Sequence, residues 1–127
     1  MKKIITTSNA PAPIGPYNQA TLSGNTLYIS GQIPIDPATG ALVEGDIKKE
    51  TRQSMENLSA ILKAADMTFE EVVKSTIFVK DMHQFAAINE VYGAYFNADT
   101  APARETVEVA NLPKFVNVEI SMIAVKS

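Results

Sequence analysis

An arginine and a glutamate in the last quarter of the chain are the side chains best suited to chemistry. Arg104 enters a short β-prone run, and Glu119 lies in the middle of a longer alternating strand, where its carboxylate must face water or a polar site. A guanidinium matches a carboxylate in bidentate geometry, and a carboxylate can hold or deprotonate water. If the two strands are neighbours, Arg104 and Glu119 line one cleft. The alternative is an ordinary surface ion pair, worth about 0–1 kcal/mol.

Most other kinds of catalytic or metal site lack their residues in this sequence. There is no cysteine, and His83 is the only histidine, which excludes thiolate nucleophiles, disulfides and histidine-cluster metal sites. We expect His83 to be exposed in the first turn of a helix. Neither a G-x-S-x-G elbow nor a phosphate-binding glycine loop occurs. Chemistry is left to carboxylates, arginine, tyrosine, hydroxyls and backbone groups.

Composition predicts one globular domain, residues 1–127. The formal net charge of −3 provides no basic field, so nucleic acid is not an expected partner. No apolar run reaches the length of a signal peptide or of a membrane helix. We therefore expect a cytoplasmic protein that does not contact membranes.

Hydrophobic periodicity predicts strands and two helices in an α+β arrangement. The predicted strands are 3–7, a hairpin of 17–22 and 26–30 with a three-residue loop, 72–80, 104–109 and 116–124, and the helices are 46–65 and 81–97. Two helices can pack on only one face of a mixed β-sheet. The other face is left for water, a ligand or another subunit, and an uncovered apolar face favours an oligomer.

Two positions on these elements allow two interpretations each. Asn89 interrupts the apolar stripe of the second helix, so it is either a satisfied core amide or a site residue. Gly31, after Ser30, ends a strand, and a glycine there lets another group approach the backbone closely. The alternative is a plain strand terminus, and this is the interpretation that we favour.

The chain also resembles a known family, the RidA/YjgF-like imine deaminases, in motifs spread over nearly its whole length. The motifs are GPYNQA (15–20), YISGQIPID (28–36), NLSAILKAA (57–65), PAR (102–104), VEVANLP (107–113) and VEISMIA (118–124). The resemblance implies a chorismate-mutase-like fold assembled as a homotrimer with clefts between subunits. It also implies hydrolysis of 2-iminobutanoate and 2-iminopropanoate to 2-keto acids and ammonia, without metal or cofactor, which protects PLP enzymes from these reactive compounds.

The same resemblance implies a role for each site residue. Arg104 would grip the substrate carboxylate, and Glu119 would position or activate water. The cleft would be lined by Tyr17, Ser30, Gly31, Asn89 and the backbone of Thr106, with Tyr17 coming from the neighbouring subunit. The pKa of Glu119 is open at this point, because burial would raise it and a close Arg104 would lower it.

Two positions depart from the family pattern. Glu105 stands where a small residue is common, and strand alternation should turn it away from the cleft. Thr106 stands where many members have cysteine, which is tolerable if only its backbone contacts the substrate. If its side chain shapes the cleft, substrate preference would differ.

Two other functions compete with deamination. The first is a non-catalytic sensor that uses the same arginine to bind 2-keto acids and regulate a partner. The second, also known in the family, is ribonuclease or translation-inhibitor activity, which the acidic charge and the lack of a histidine base disfavour.

Overall fold

The computed structural model describes residues 1–127 as six strands and two α-helices. The strands are β1 (Lys2–Ile5), β2 (Ala20–Ser23), β3 (Thr26–Gln32), β4 (Val72–Val79), β5 (Ala103–Glu108) and β6 (Val118–Val125), and the helices are α1 (Ile47–Ala64) and α2 (Phe85–Gly93). The strand order in the sheet is β1-β2-β3-β6-β4-β5. Only β4 and β5 run parallel, so the sheet is mixed, as predicted.

Both helices cover the same face of this sheet, which confirms the predicted arrangement. Side chains alternate along β6, and Val118, Ile120 and Met122 point into the core below the helices. The apolar stripe of α1 meets them there, and α2 packs against α1. Full burial of one leucine or isoleucine side chain stabilises the fold by about 1.5–3 kcal/mol, so this single core holds the sheet and helices together.

Buried polar side chains of α1 fasten two loops to the helix. The amide of Asn57 donates hydrogen bonds to the carbonyl oxygens of Ile33 (3.3 Å) and Ile35 (3.0 Å). The carboxylate of Glu50 accepts one from Asn117 Nδ2 at 2.9 Å. A buried polar group is costly unless it is hydrogen-bonded, so these contacts fix the segment after β3 and the start of β6.

Two predicted elements differ in extent from the structure. The helix predicted at 81–97 is a 3₁₀ turn, Met82–Gln84, followed by the shorter α2. The backbone amides of residues 94–96 donate i→i−3 hydrogen bonds, which are typical of a 3₁₀ turn, so the α-helix ends at Gly93. The hairpin loop has two residues instead of three, because Gly24 adopts a positive φ of 58° and lets Ser23 pair directly with Thr26.

The face of the sheet opposite the helices carries apolar side chains in contact with solvent. Ile4 is 42% exposed, Tyr28 50% and Val107 38%. This face confirms that two helices leave one side of the sheet uncovered. Neither helix combines the length and the apolar character that a membrane span requires.

Candidate functional site

Arg104 and Glu119 point to opposite faces of the sheet. Arg104 pairs with Ser75 of β4, which pairs with Met122 of β6, a core residue. Paired residues share a face, so Arg104 points to the helical side. Glu119 pairs with Phe78, three residues from Ser75, and therefore points to the other side. The two strands are not neighbours, because β4 lies between β5 and β6, so Arg104 and Glu119 do not line one cleft within a single chain.

On the helical side, Arg104 is held by α2. Its Nη1 donates a hydrogen bond to Asn89 Oδ1 at 2.7 Å. Its guanidinium carbon lies 5.0 Å from the ring centre of Tyr92 and 5.5 Å from that of Phe85. Such cation–π contacts contribute about 0.5–1 kcal/mol each at exposed sites. No carboxylate pairs with Arg104, so its positive charge is oriented but not neutralised.

The aromatic ring beneath the guanidinium is itself fixed. The hydroxyl of Tyr92 donates a hydrogen bond to the buried Ser75 Oγ at 2.9 Å. Burial raises the pKa of Tyr92, outweighing the opposing effects of Ser75 and Arg104, so the phenol stays neutral. The arginine therefore rests on a neutral, rigid platform.

The structure decides between the two interpretations of Asn89. Its side chain is exposed on α2 and accepts the hydrogen bond from Arg104, so it is not a core amide. Thr106 follows Arg104 by two residues and shares its face. The Thr106 hydroxyl is buried and has no hydrogen-bond partner within the chain.

On the other side of the sheet, Glu119 lies in a cleft of about 370 Å³. The cleft is lined by Ile14, Tyr17, Ser30, Gly31, Ile33, Pro113 and Glu119. Burial raises the pKa of Glu119, and no charged group in the chain offsets that effect. Sequence reasoning missed Ile14, Ile33 and Pro113 as lining residues, although Ile33 and Pro113 lie within the family-like motifs.

A β-bulge at Ser30 and Gly31 shapes this cleft. Between Ile29 and Gln32 the pairing with β6 shifts, because β3 uses one more residue than its partner. A Cβ on Gly31 would lie 2.8 Å from Glu119 Cδ. The favoured interpretation, a plain strand terminus, is wrong, because β3 continues to Gln32 and the Glu119 carboxyl lies against Gly31. Ser30 Oγ donates a hydrogen bond to the carbonyl oxygen of Asn18 at 2.6 Å, which anchors the bulge.

One chain thus contains two separate groups of site residues. Tyr17, Ser30, Gly31 and Glu119 line the cleft on the open face, whereas Arg104, Asn89 and Thr106 lie on the helical side. That Tyr17 comes from a subunit other than the one that supplies Arg104 stays a prediction. Tyr17 and Glu119 lie in the same cleft of one chain, because Tyr17 lies just before β2, the strand that pairs with β3.

Glu105 turns away from Arg104, as strand alternation predicted. Glu105 Oε1 lies 3.1 Å from Lys74 Nζ, and Oε2 accepts a hydrogen bond from Thr76 Oγ1 at 3.0 Å. The hydrogen bond from Lys74 has the larger effect in lowering the pKa of Glu105, and the one from Thr76 lowers it further. His83 is exposed, as expected, and no cluster of acidic, histidine or cysteine side chains is arranged to hold a metal ion.

Comparison with known proteins identifies close relatives over the whole chain. A family model described as Endoribonuclease L-PSP matches residues 7–126. A RutC family protein of Pyrococcus horikoshii is 56% identical over 126 residues, 99% of each chain. The 2-iminobutanoate/2-iminopropanoate deaminase of Salmonella typhimurium is 51% identical over 128 residues, also 99% of each chain.

Solved structures agree with these sequence relatives. The crystal structure of a Rid family protein from Yersinia pestis superposes with a TM-score of 0.96 at 49% identity, covering 98% of this chain and 99% of that one. E. coli TdcF with bound serine superposes with a TM-score of 0.92 at 45% identity, with the same coverage. The match extends from the first strand to the last, and the chain belongs to the Ribonuc_L-PSP (RidA/YjgF) family.

Proposed function

We propose that this protein hydrolyses 2-imino acids, such as 2-iminobutanoate and 2-iminopropanoate, to 2-keto acids and ammonia. The observation that carries the proposal is the guanidinium of Arg104, which is oriented by Asn89 and Tyr92 and has no carboxylate partner. A fixed, unpaired guanidinium is a binding site for a small carboxylate. The deaminase of Salmonella typhimurium, at 51% identity, supports this choice of chemistry.

The complete site needs two copies of the chain. Arg104 and Glu119 lie on opposite faces of one sheet, so they can meet only if the helical edge of one subunit packs against the open face of the next. Such a contact joins two different surfaces, and contacts of that kind form a ring when the rotation from one subunit to the next closes. A homotrimer with three equivalent clefts satisfies this geometry and covers the apolar open face.

In this cleft Arg104 would bind the substrate carboxylate and place the imine carbon near Glu119 of the neighbouring subunit. Two charge-assisted hydrogen bonds, at about 1.5–3 kcal/mol each, orient the substrate. Tyr17 and the Ser30–Gly31 bulge limit the space around the Glu119 carboxyl. A positioned water and a bound electrophile then react without the entropic cost of a chance encounter.

The raised pKa of Glu119 suits it to act as the base. Its carboxylate takes a proton from water as the oxygen attacks the protonated imine carbon, which forms a carbinolamine. The protonated Glu119 then returns that proton to the amine nitrogen. The carbon–nitrogen bond breaks, ammonia leaves, and loss of the hydroxyl proton forms the keto group. Water supplies the oxygen, and the net products are a 2-keto acid and ammonium.

Imine decay measured with purified protein tests the proposal. A D-amino-acid oxidase acting on D-alanine generates 2-iminopropanoate, and the protein should accelerate its hydrolysis over buffer. Arg104→Ala removes both substrate hydrogen bonds, so kcat/KM should fall by about 10²–10⁴. Arg52→Ala is the matched control, because Arg52 is an exposed arginine on α1, outside both groups of site residues. No acceleration by the wild type, or full activity in Arg104→Ala, would refute the proposal.

Two alternatives remain distinguishable by experiment. Saturable binding of a 2-keto acid without any imine turnover would favour the sensor function. The family description names an endoribonuclease, and RNA cleavage that co-purifies with the protein would favour that activity. The only histidine, His83, has a side chain that is 97% exposed and paired with Asp81, so it lies outside the cleft in which a general base is needed.

A further inference from the structure

The loop between β5 and β6 forms a rigid rim beside the Glu119 cleft. Leu112 and Val116 are buried in a small apolar cluster with Ile33 and Ile35. Residues 113–115 protrude between these two anchors and are exposed. Pro113 and Ile33 also line the Glu119 cleft, so the cluster that anchors the rim forms part of the cleft wall.

Phe115 on this rim has both an unfavourable backbone conformation and an exposed apolar side chain. Its φ is 57° and that of Lys114 is 55°, in the left-handed region that residues with a Cβ seldom adopt. The Phe115 side chain is also 75% exposed, which leaves a large apolar surface in water. Asparagine or glycine would suit this backbone better. A strained backbone held by a well-packed surround, together with an exposed ring, indicates a functional contact.

We propose that Phe115 determines substrate specificity by contacting the apolar side chain of the substrate. The inference rests on the proposed deaminase function and adds the substrate class. The 3₁₀ turn, in which the Phe115 amide donates to the Leu112 carbonyl oxygen at 2.8 Å, places Phe115 two residues beyond Pro113. Two residues of chain span at most about 7 Å, so the phenyl ring can reach the part of the cleft that Pro113 lines. The site therefore favours 2-imino acids with large apolar side chains over the alanine-derived imine.

The test compares two imines made by the same oxidase, from D-alanine and from D-phenylalanine. In Phe115→Ala, kcat/KM for the phenylalanine-derived imine should fall about tenfold, while that for the alanine-derived imine changes less than about twofold. Phe115→Leu should lie between Phe115→Ala and wild type. Lys114→Ala is the matched control, because Lys114 is the neighbouring exposed residue and has the same backbone conformation. It should leave the ratio of the two kcat/KM values unchanged.

Binding measurements separate this inference from the proposed function. Calorimetry with pyruvate and phenylpyruvate should show that Phe115→Ala weakens only phenylpyruvate binding. If the wild type hydrolyses neither imine, the deaminase proposal fails. The ratio of phenylpyruvate affinity to pyruvate affinity then decides the role of Phe115. The inference would be overturned if Phe115→Ala left both the kcat/KM ratio and the affinity ratio of the two compounds unchanged. An equal change of these ratios in Lys114→Ala would also overturn it. A changed oligomeric state with an unchanged ratio would also overturn it, because Phe115 would then be an assembly contact.

Discussion

Replacement of Gly31 by alanine probes the contact between the bulge in β3 and the Glu119 carboxyl. The new Cβ would lie 2.8 Å from both Cδ and Oε2 of Glu119 and 3.0 Å from Cγ. Ordinary contact begins at about 3.5 Å, so the carboxyl must move by at least about 0.7 Å. A displacement of about 1 Å at a reacting group can cost about 100-fold in rate, or about 2.7 kcal/mol of transition-state stabilisation. We therefore expect kcat/KM for 2-iminopropanoate to fall by about that factor.

Stability should not fall with activity in this variant. Gly31 does not have a positive φ, so alanine suits its backbone, and the displaced Glu119 side chain is flexible at its end. Replacement of glycine by alanine at a compatible position stabilises by about 0.4–1 kcal/mol through the unfolded state. Gly93→Ala is the matched control, because nothing lies within 4 Å of its Cβ, and it should keep full activity.

A double-mutant cycle identifies Glu119 as the cause. In a Glu119→Ala background the side chain that meets the new Cβ is gone, so adding Gly31→Ala should cause no further loss of the remaining activity. Wild-type activity in Gly31→Ala would refute the role assigned to this contact. An equal loss in both backgrounds would place the effect in the bulge itself and not in the Glu119 carboxyl.

Three further predictions concern stability. Burial raises the pKa of Glu119 in the folded state, so this group favours folding at low pH and loses that contribution as pH rises through its folded pKa. Glu119→Gln should therefore melt above wild type at pH 7, and the difference should vanish in acid; a constant difference at all pH values would contradict the burial. Phe115→Asn should raise the free energy of unfolding in urea by about 1 kcal/mol, because asparagine tolerates a positive φ, and an unchanged midpoint would argue against strain. Thr106→Val removes a buried hydroxyl without a partner and should stabilise by about 1 kcal/mol with activity retained, whereas lost activity would show that the hydroxyl contacts substrate.

Much of the fold could be predicted from short-range patterns. Helix α1 lies within one residue of its predicted bounds at each end, because Asp46 caps its first turn and an apolar stripe continues to its end. Thr68 and Glu71 have the spacing of a capping box, and the structure contains that capping box. These features depend on residues within one or two turns of each other, which a sequence displays directly.

The site was predictable as a set of residues but not as an arrangement. Arg104 and Glu119 were recognised by their chemistry and by the motifs around them. Their separation onto opposite faces depends on β4 lying between β5 and β6 and on the register that pairs Ser75 with Met122. A shift of that register by one residue would reverse every side chain of the strand.

The sequence by itself determined the element types, the helix caps and the alternation along β6. It also identified the side chains that are suited to catalysis and substrate binding. Only the tertiary structure decided the strand order, the bulge that brings Glu119 onto Gly31, and the pairing of Arg104 with Asn89. The physical reason is distance along the chain. Helix caps and periodicity arise from near neighbours, whereas register, bulges and the faces of a sheet are set by packing between segments that lie tens of residues apart.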